Sequence, residues 1–264
     1  MKKYLVIGNP INHSLSPELH NYWIKQNNIN AIYEKKKLND NELENLILEV
    51  KKENISGVNV TVPFKNSVIP YLDELSYEAK KTQAVNTIYL KNKKVVGHNT
   101  DIVGFEMAIK KINFDFNNKK IFILGAGGVV PSIVYASMKM GSSEIIISNR
   151  TKAKAQKLKD IFESVQVVDW GDMPKFDVVI NATSLGLNKD DKVSLDFSKV
   201  GKNKLFYDVI YNPTETDFLI RGKKMGNTFQ NGKLMFIYQA FSAFKLWHNV
   251  EPIITSEIYK LLDK

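Results

Sequence analysis

Short apolar runs alternate with amphipathic stretches twice along this chain, with one β-rich hairpin between the two series, and few folds accept that pattern. The first series opens with Tyr4-Leu5-Val6-Ile7, a buried-strand pattern ended by Gly8-Asn9-Pro10. Ser16-Pro17-Glu18 reads as a helix start, with Ser16 as N-cap and proline at the first helical position. Residues 31–36 predict a second strand. Residues 41–52 predict a helix with Leu43, Leu46, Ile47 and Val50 on one face. Residues 57–62 predict a third strand, whose valines alternate with Asn59 and Thr61 and which Pro63 ends. A β-α-β-α-β order implies a mostly parallel sheet.

The hairpin comes next. Stretches 85–90 and 94–96 flank Asn92-Lys93, so positions whose numbers sum to 185 should face each other. That register sets Asn86 against Asn99 and gathers Asn86, Asn99 and Asp101 at one end. Residues 101–112 read as a helix with Phe105, Ala108, Ile109 and Ile112 on one face. After Asn117-Asn118-Lys119 the second series predicts strands at 121–124, 144–148, 165–169, 178–181 and 205–210, with helices running to Met140 and to Phe162. Leu234, Ile237, Tyr238, Phe241 and Phe244 form an apolar helical stripe, and Pro252 is expected to open a last short helix. At 264 residues, 44% of them hydrophobic, the chain has the length and the apolar content for two such modules. The expected fold class is α/β, with two α/β domains.

Composition removes several chemistries. With no cysteine there is no disulfide framework, iron–sulfur cluster, thiolate zinc site or cysteine nucleophile. His13, His20, His98 and His248 are scattered without metal-ligand spacing, so no metal is expected. Five mostly apolar residues after Met-Lys-Lys are too few for a signal peptide or a membrane span, which leads to the expectation of a cytoplasmic protein with no membrane partner. Lysine and arginine total 37 against 28 acidic residues, a net charge of +9. The lysines are dispersed and not interleaved with stacking aromatics, so they read as solvated surface rather than a nucleic-acid interface.

The second series contains a cofactor pattern. Strand 121–124 runs into Gly125-Ala126-Gly127-Gly128 and then a helix. The first glycine makes a tight turn, and Gly127 lets backbone amides approach a pyrophosphate at the helix N-terminus. The third small position of the pattern is occupied by Val130. After the next strand, where an NAD site expects a carboxylate, the chain has Asn149-Arg150-Thr151. A guanidinium there forks onto phosphate oxygens, where an acid would repel them. Only Arg150 and Arg221 are arginines in this lysine-rich chain. Arg150 therefore points to NADP, with Thr151 and Lys154 as auxiliary phosphate contacts.

The first series carries polar groups beyond the predicted carboxyl ends of its strands, where open α/β sheets bind ligands. Ser14 and Ser16 follow the first strand, Thr61 and Lys65 follow the third, and the hairpin end adds Asn86 and Asp101. Singly each has an ordinary structural explanation. Together on one rim they suit a small hydroxylated or carboxylated ligand.

Nine runs in fixed order identify the chain as a member of the shikimate dehydrogenase family over essentially its full length: GNPINHSLSP (8–17), NVTVPFK (59–65), AVNT (84–87), GHNTD (97–101), GAGG (125–128), NRT (149–151), NATSLG (181–186), DVIYNP (208–213) and NGKLMFIYQA (231–240). The resemblance implies reversible NADPH-dependent reduction of 3-dehydroshikimate to shikimate, on the route to chorismate and the aromatic amino acids. It implies a substrate domain of residues 1–101 plus 236–264, to which the C-terminal helices return, and a Rossmann-type NADP-binding domain of residues 102–235. By motif, Ser14 and Ser16 would bind the substrate carboxylate. Thr61, Asn86, Asp101 and Gln239 would bind ring hydroxyls, and Lys65 with Asp101 would be the catalytic pair. Asn149, Arg150 and Thr151 would hold the 2′-phosphate, Met235 and Thr183-Ser184 would line the nicotinamide side, and Tyr211 would lie near the substrate. The chain departs from the family at Val129-Val130-Pro131, where small residues are usual, and at Lys233, where an apolar residue is common. A quinate/shikimate dehydrogenase using NAD shares most of these motifs, though Arg150 disfavours NAD. A methylenetetrahydrofolate dehydrogenase has a related two-domain plan but not the HSLSP serines. A catalytically silent ligand-binding relative would not be expected to keep both Lys65 and Asp101. A monomer or a homodimer is compatible with the sequence.

Overall fold

The structure, a computed structural model, describes residues 1–188 and 190–263; Lys189 and Lys264, the latter the expected end of the substrate domain, lie outside the described residues. The chain forms two compact units, Met1–Gly104 with Ile237–Lys264, and Phe105–Phe236. No helix of the described residues is long and apolar enough to cross a membrane.

The first unit comprises β1 (Lys2–Gly8), α1 (Ser16–Gln26), β2 (Ala31–Lys37), α2 (Leu43–Lys51), β3 (Gly57–Val60), α3 (Phe64–Ser67), β4 (Glu74–Leu75), α4 (Tyr77–Thr82), β5 (Thr87–Lys91), β6 (Lys94–His98) and the start of α5 (Asp101–Lys111). Its sheet has the order β2-β1-β3-β5-β6-β4. β1 pairs in parallel with β2 and β3, whereas β5 runs antiparallel to β3 and β6. Leu46 and Val50 of α2 pack with Leu5, Val58 and Ile88 of the sheet in one buried cluster. The hairpin register is Thr87 opposite His98 through Lys91 opposite Lys94, so paired numbers sum to 185 as expected.

The second unit continues with β7 (Lys120–Leu124), α6 (Val130–Lys139), β8 (Glu144–Ser148), α7 (Lys152–Lys159), β9 (Gln166–Val168), β10 (Val178–Asn181), β11 (Leu205–Asp208), α8 (Asp217–Lys224) and β12 (Thr228–Gln230). α9 (Lys233–His248) begins here and ends in the first unit, which α10 (Ser256–Leu261) completes. The strand order β9-β8-β7-β10-β11-β12, with every pairing parallel, is that of a doubly wound dinucleotide-binding sheet. Its central strands β7, β10 and β11 are buried on both faces, which is why they read as continuous apolar runs rather than alternating ones.

Both sheets reverse direction of winding at a definable point, between β1 and β3 and between β7 and β10. Ligands of open α/β sheets bind beyond the carboxyl ends of the strands at such points. The segments there are residues 9–16 and 61–65 in the first unit, and residues 125–129 and 182–187 in the second.

Several local expectations are corrected. Ser16 is not an N-cap: Leu15 holds that position, Ser16 is the first helical residue and makes no capping bond. The Ser14 oxygen takes the role instead, accepting from the Ser16 backbone N–H at 3.3 Å. β3 ends at Val60, although Thr61 N–H still bonds to the Ile7 carbonyl at 2.9 Å. The helix after β8 ends at Lys159, short of Phe162. The last helix begins at Ser256 with Thr255 at its N-cap position, four residues beyond Pro252. Strands β4 and β12, of two and three residues, are too short to show a period. α8 hides in a charged stretch because only Phe218, Leu219 and Gly222 are buried, with Thr216 capping it by accepting from Leu219 N–H at 3.4 Å.

His20 is buried in the first unit, its ring stacked on Tyr33 at 4.2 Å and edge-on to Trp23 at 5.9 Å. Burial, with His248 nearby, depresses its pKa to about 3. The unfolded chain therefore takes up a proton near pH 6.5 that the folded chain refuses until about pH 3, so stability falls as pH falls through that window. Between pH 6.5 and 5 the expected loss from this group is about 2 kcal/mol. His248, lowered to about 4, acts in the same direction, whereas Asp208, raised to about 6, gains stability on acidification over pH 6 to 4. Urea midpoints at pH 7 and pH 5 should draw together in His20→Phe; an unchanged difference would reject this assignment.

Candidate active site

In the first unit, α3 and the N-terminus of α5 bring a lysine and a carboxylate into contact. Lys65 Nζ lies 2.5 Å from Asp101 Oδ2, and the two residues are only 8% and 5% exposed. A buried ion pair gains little net stability, because desolvation offsets its attraction, so its presence calls for another reason. The second carboxylate oxygen, Oδ1, accepts from Asn86 Nδ2 at 2.8 Å. Asp101 thus has a cation on one oxygen and an amide on the other.

The hairpin supplies the frame. Asn86 Oδ1 accepts from Thr100 N–H at 2.7 Å, which fixes the amide so that its nitrogen faces Asp101. Asp101 N–H donates to Asn99 Oδ1 at 3.1 Å, and Lys65 is tied to the hairpin through its carbonyl, which accepts from Val85 N–H at 2.8 Å. The cluster of Asn86, Asn99 and Asp101 expected from the register is present.

Behind this pair lies a buried polar layer that sequence reading passes over. Asn59 gives its amide hydrogens to the Asn86 carbonyl and Thr87 Oγ1, both at 3.1 Å, leaving its oxygen to accept from the Tyr33 hydroxyl at 2.7 Å. Burial pushes the Tyr33 phenol well above its ordinary value, so it remains a donor. Asn59, Thr87 and Thr100 all lie within the family motifs; what hides them is the assumption that motif residues touch ligand.

Ser14 and Ser16 are buried side by side, with the Ser14 hydroxyl donating to Ser16 Oγ at 3.2 Å. Ser14 accepts from the Ser16 backbone and donates to its hydroxyl, so the two side chains hold each other in place at the start of α1. Thr61 is half-buried at the end of β3, beside the segment after β1, because Asn9 N–H bonds to the Val62 carbonyl at 2.9 Å. Gln239 is half-buried on α9 in the same unit. Tyr211 belongs to the second unit, its ring 4.6 Å from that of Phe236.

In the second unit, Gly125 has φ +114°, and a side chain there would meet the Ala182 carbonyl oxygen at 2.7 Å. Only glycine fits. At Gly127 a Cβ would have nothing within 4 Å, so the turn presents bare backbone to open space, as a pyrophosphate requires. Ala126 and Gly128 complete the turn, and α6 starts at Val130 with Pro131 in its first turn. Val130 is fully buried, so the departure from a small residue is absorbed by packing. Asn149 Nδ2 donates to the Thr151 carbonyl at 2.8 Å, shaping the turn before α7. Arg150, Thr151 and Lys154 are exposed there, whereas Lys152 is paired with Asp169 at 2.8 Å. A guanidinium with no partner among the described residues beyond β8, and bare backbone beyond β7, fit the phosphates of NADP.

After β10 the Thr183 hydroxyl donates to Asn181 Oδ1 at 2.6 Å and accepts from Leu185 N–H at 3.0 Å. It is therefore occupied in shaping the loop, while Ser184 is exposed. Met235 is buried at the start of α9.

Two family models match: the shikimate dehydrogenase substrate binding domain over residues 6–88 and shikimate / quinate 5-dehydrogenase over residues 106–213. A shikimate dehydrogenase (NADP(+)) of Pelagibacter ubique is 53% identical over 262 residues, covering 99% of each chain. Among solved structures, a shikimate dehydrogenase from Aquifex aeolicus superposes with a TM-score of 0.91 at 35% identity, over 100% of this chain and 98% of that one. Shikimate 5-dehydrogenase from Thermus thermophilus, solved in complex with NADP(H) and shikimate, gives a TM-score of 0.90 at 29% identity over 99% and 98%. Likeness of this extent, in sequence and in both sheets, means that the chain belongs to the shikimate dehydrogenase family.

Proposed function

We propose that this chain is an NADP-dependent shikimate dehydrogenase that interconverts 3-dehydroshikimate and shikimate in aromatic amino-acid biosynthesis. The observation that carries the reading is the buried Lys65–Asp101 pair at 2.5 Å, braced by Asn86. Relatives named for this activity support it, as does Arg150, exposed after β8 where a 2′-phosphate would lie. The first unit is the substrate-binding part and the second the NADP-binding part.

Reduction adds a hydride to the ketone carbon and a proton to its oxygen. When bound, NADPH supplies the hydride. The Lys65 ammonium hydrogen-bonds the carbonyl oxygen, stabilises the charge that develops there and supplies the proton. Asp101 orients the ammonium and accepts from a neighbouring ring hydroxyl. Ser14 and Ser16 donate to the substrate carboxylate, while Thr61, Asn86 and Gln239 bind ring hydroxyls. Gly125 to Gly128 receive the pyrophosphate; Asn149, Arg150, Thr151 and Lys154 hold the 2′-phosphate; Thr183, Ser184 and Met235 line the nicotinamide side. In the reverse direction the substrate hydroxyl returns its proton to Lys65 as the hydride leaves its carbon.

Purified protein given shikimate and NADP⁺ should produce absorbance at 340 nm, with quinate and NAD⁺ as much poorer substrates. A folded protein that forms no NADPH from shikimate would reject the proposal, and preference for quinate with NAD⁺ would replace it.

A further inference from the structure

Asp208, the last residue of β11, is fully buried, and its hydrogen-bond partners among the described residues, Asn181, Ile210 and Thr216, are outside the residue sets assigned to ligands. Burial pushes its carboxyl up to about 6, so at pH 8 it is ionised and can only accept hydrogen bonds. It accepts from Thr216 Oγ1 at 2.6 Å, from Ile210 N–H at 3.0 Å and from Asn181 Nδ2, which is 3.1 Å from each carboxylate oxygen. An acceptor-only partner dictates which way the Asn181 amide faces. With its nitrogen on Asp208, Asn181 gives its other hydrogen to the Leu185 carbonyl at 2.9 Å. Its oxygen is then left to accept from Thr183 N–H at 3.2 Å and the Thr183 hydroxyl at 2.6 Å. Each direction in this chain of bonds follows from the one before. Two segments thereby hang from one carboxylate: the 183–185 turn through Asn181, and the start of the segment carrying Tyr211 through Ile210 N–H.

We propose that Asp208 is a positioning residue for hydride transfer, an acceptor-only anchor that locks the Asn181 amide and through it the turn on the nicotinamide side. This rests on the assignment of Thr183 and Ser184 to that side, made under Proposed function. Binding strength comes mainly from the phosphate contacts at the other end of the cofactor, so a misplaced turn should degrade the reacting geometry more than affinity.

Asp208→Asn tests it with almost no change in shape. The new amide can serve Ile210 N–H and Asn181 with its oxygen only by turning its nitrogen to Thr216 Oγ1, which sets that nitrogen at the position 3.1 Å from Asn181 Nδ2. The opposite turn sets it against Ile210 N–H, and a flip of Asn181 sets the Asn181 nitrogen against Thr183 N–H. Thr216→Val is the control, since it removes one bond to Asp208 and the cap of α8 but leaves Asn181 its acceptor. Both variants should unfold at lower urea concentration. Only Asp208→Asn should exchange the Thr183 and Leu185 amide hydrogens faster in the ligand-free protein, by roughly 10-fold or more. At pH 8 it alone should lose kcat, by roughly 10–100-fold, with KM for NADP⁺ and for shikimate within about threefold of wild type. Wild-type kcat and protection in Asp208→Asn would overturn the proposal. So would equal losses in the two variants, which would reduce Asp208 to a stabilising role. If wild-type protein were itself inactive on shikimate, the parent assignment would fail instead, and the exchange measurement would still decide whether Asp208 locks the turn.

Discussion

Replacing Lys65 with alanine is expected to lower kcat by roughly 10²–10⁴-fold, with a much smaller change in KM for shikimate. Lys65 is the cation beside Asp101, and the proposed chemistry needs a proton donor where the ketone oxygen gains charge. Its loss has a second consequence. Asp101 is 5% exposed, and without the ammonium it becomes a buried carboxylate with no ion-pair partner among the described residues. Breaking such a pair from one side costs about 3–5 kcal/mol, so rates must be expressed per folded molecule. Lys65→Met keeps most of the side-chain volume and separates the two effects. Folding should be partly restored as the cavity is filled, but kcat should not. If either variant kept its kcat and showed only a raised KM, Lys65 would hold substrate without transferring a proton, and Asp101 alone would have to serve.

What can be read from the chain, and what cannot, follows from where the signal resides. Apolar runs mark the central parallel strands because strands buried on two faces have no polar positions to blur the pattern; β7 and β10 are the clearest cases, whereas the short edge strands β4 and β12 leave no such mark. The hairpin register follows from its centre at Asn92-Lys93, and with it the convergence of Asn86 and Asp101. Ser16 reads wrongly as a cap because serine before proline has that grammar locally, while its actual bond, to Ser14, depends on how the chain turns after β1. Asn59, Asn181 and Asp208 are legible as motif letters but not as roles, since hydrogen-bond direction is a property of the assembled network. A polar residue in a motif can serve the ligand or serve another residue, and only the partner atoms tell these apart: Thr183 spends its hydroxyl inside its own loop, and Arg150 has no partner among the described residues.

Arg150→Ala should lower kcat/KM with NADPH by roughly 10–150-fold, the worth of a charged hydrogen-bonded contact, and leave kcat/KM with NADH within about twofold. The asymmetry is the content of the prediction. Arg150 is exposed beyond β8 and has no partner among the described residues to release, so it can meet a phosphate without first breaking a bond. Lys152 cannot readily take over, because its ammonium is held by Asp169 at 2.8 Å. Lys154 is exposed on the first turn of α7 and can keep part of the attraction, which bounds the loss from above. Arg150→Lys distinguishes charge from shape: a point charge keeps the long-range attraction but not the two-pronged fit, so it should fall between wild type and alanine. Because the site is exposed, added salt should shrink the difference between wild type and Arg150→Ala. Equal losses with NADPH and NADH would mean that Arg150 acts on something common to both cofactors, such as the turn that carries it, and the 2′-phosphate assignment would be withdrawn.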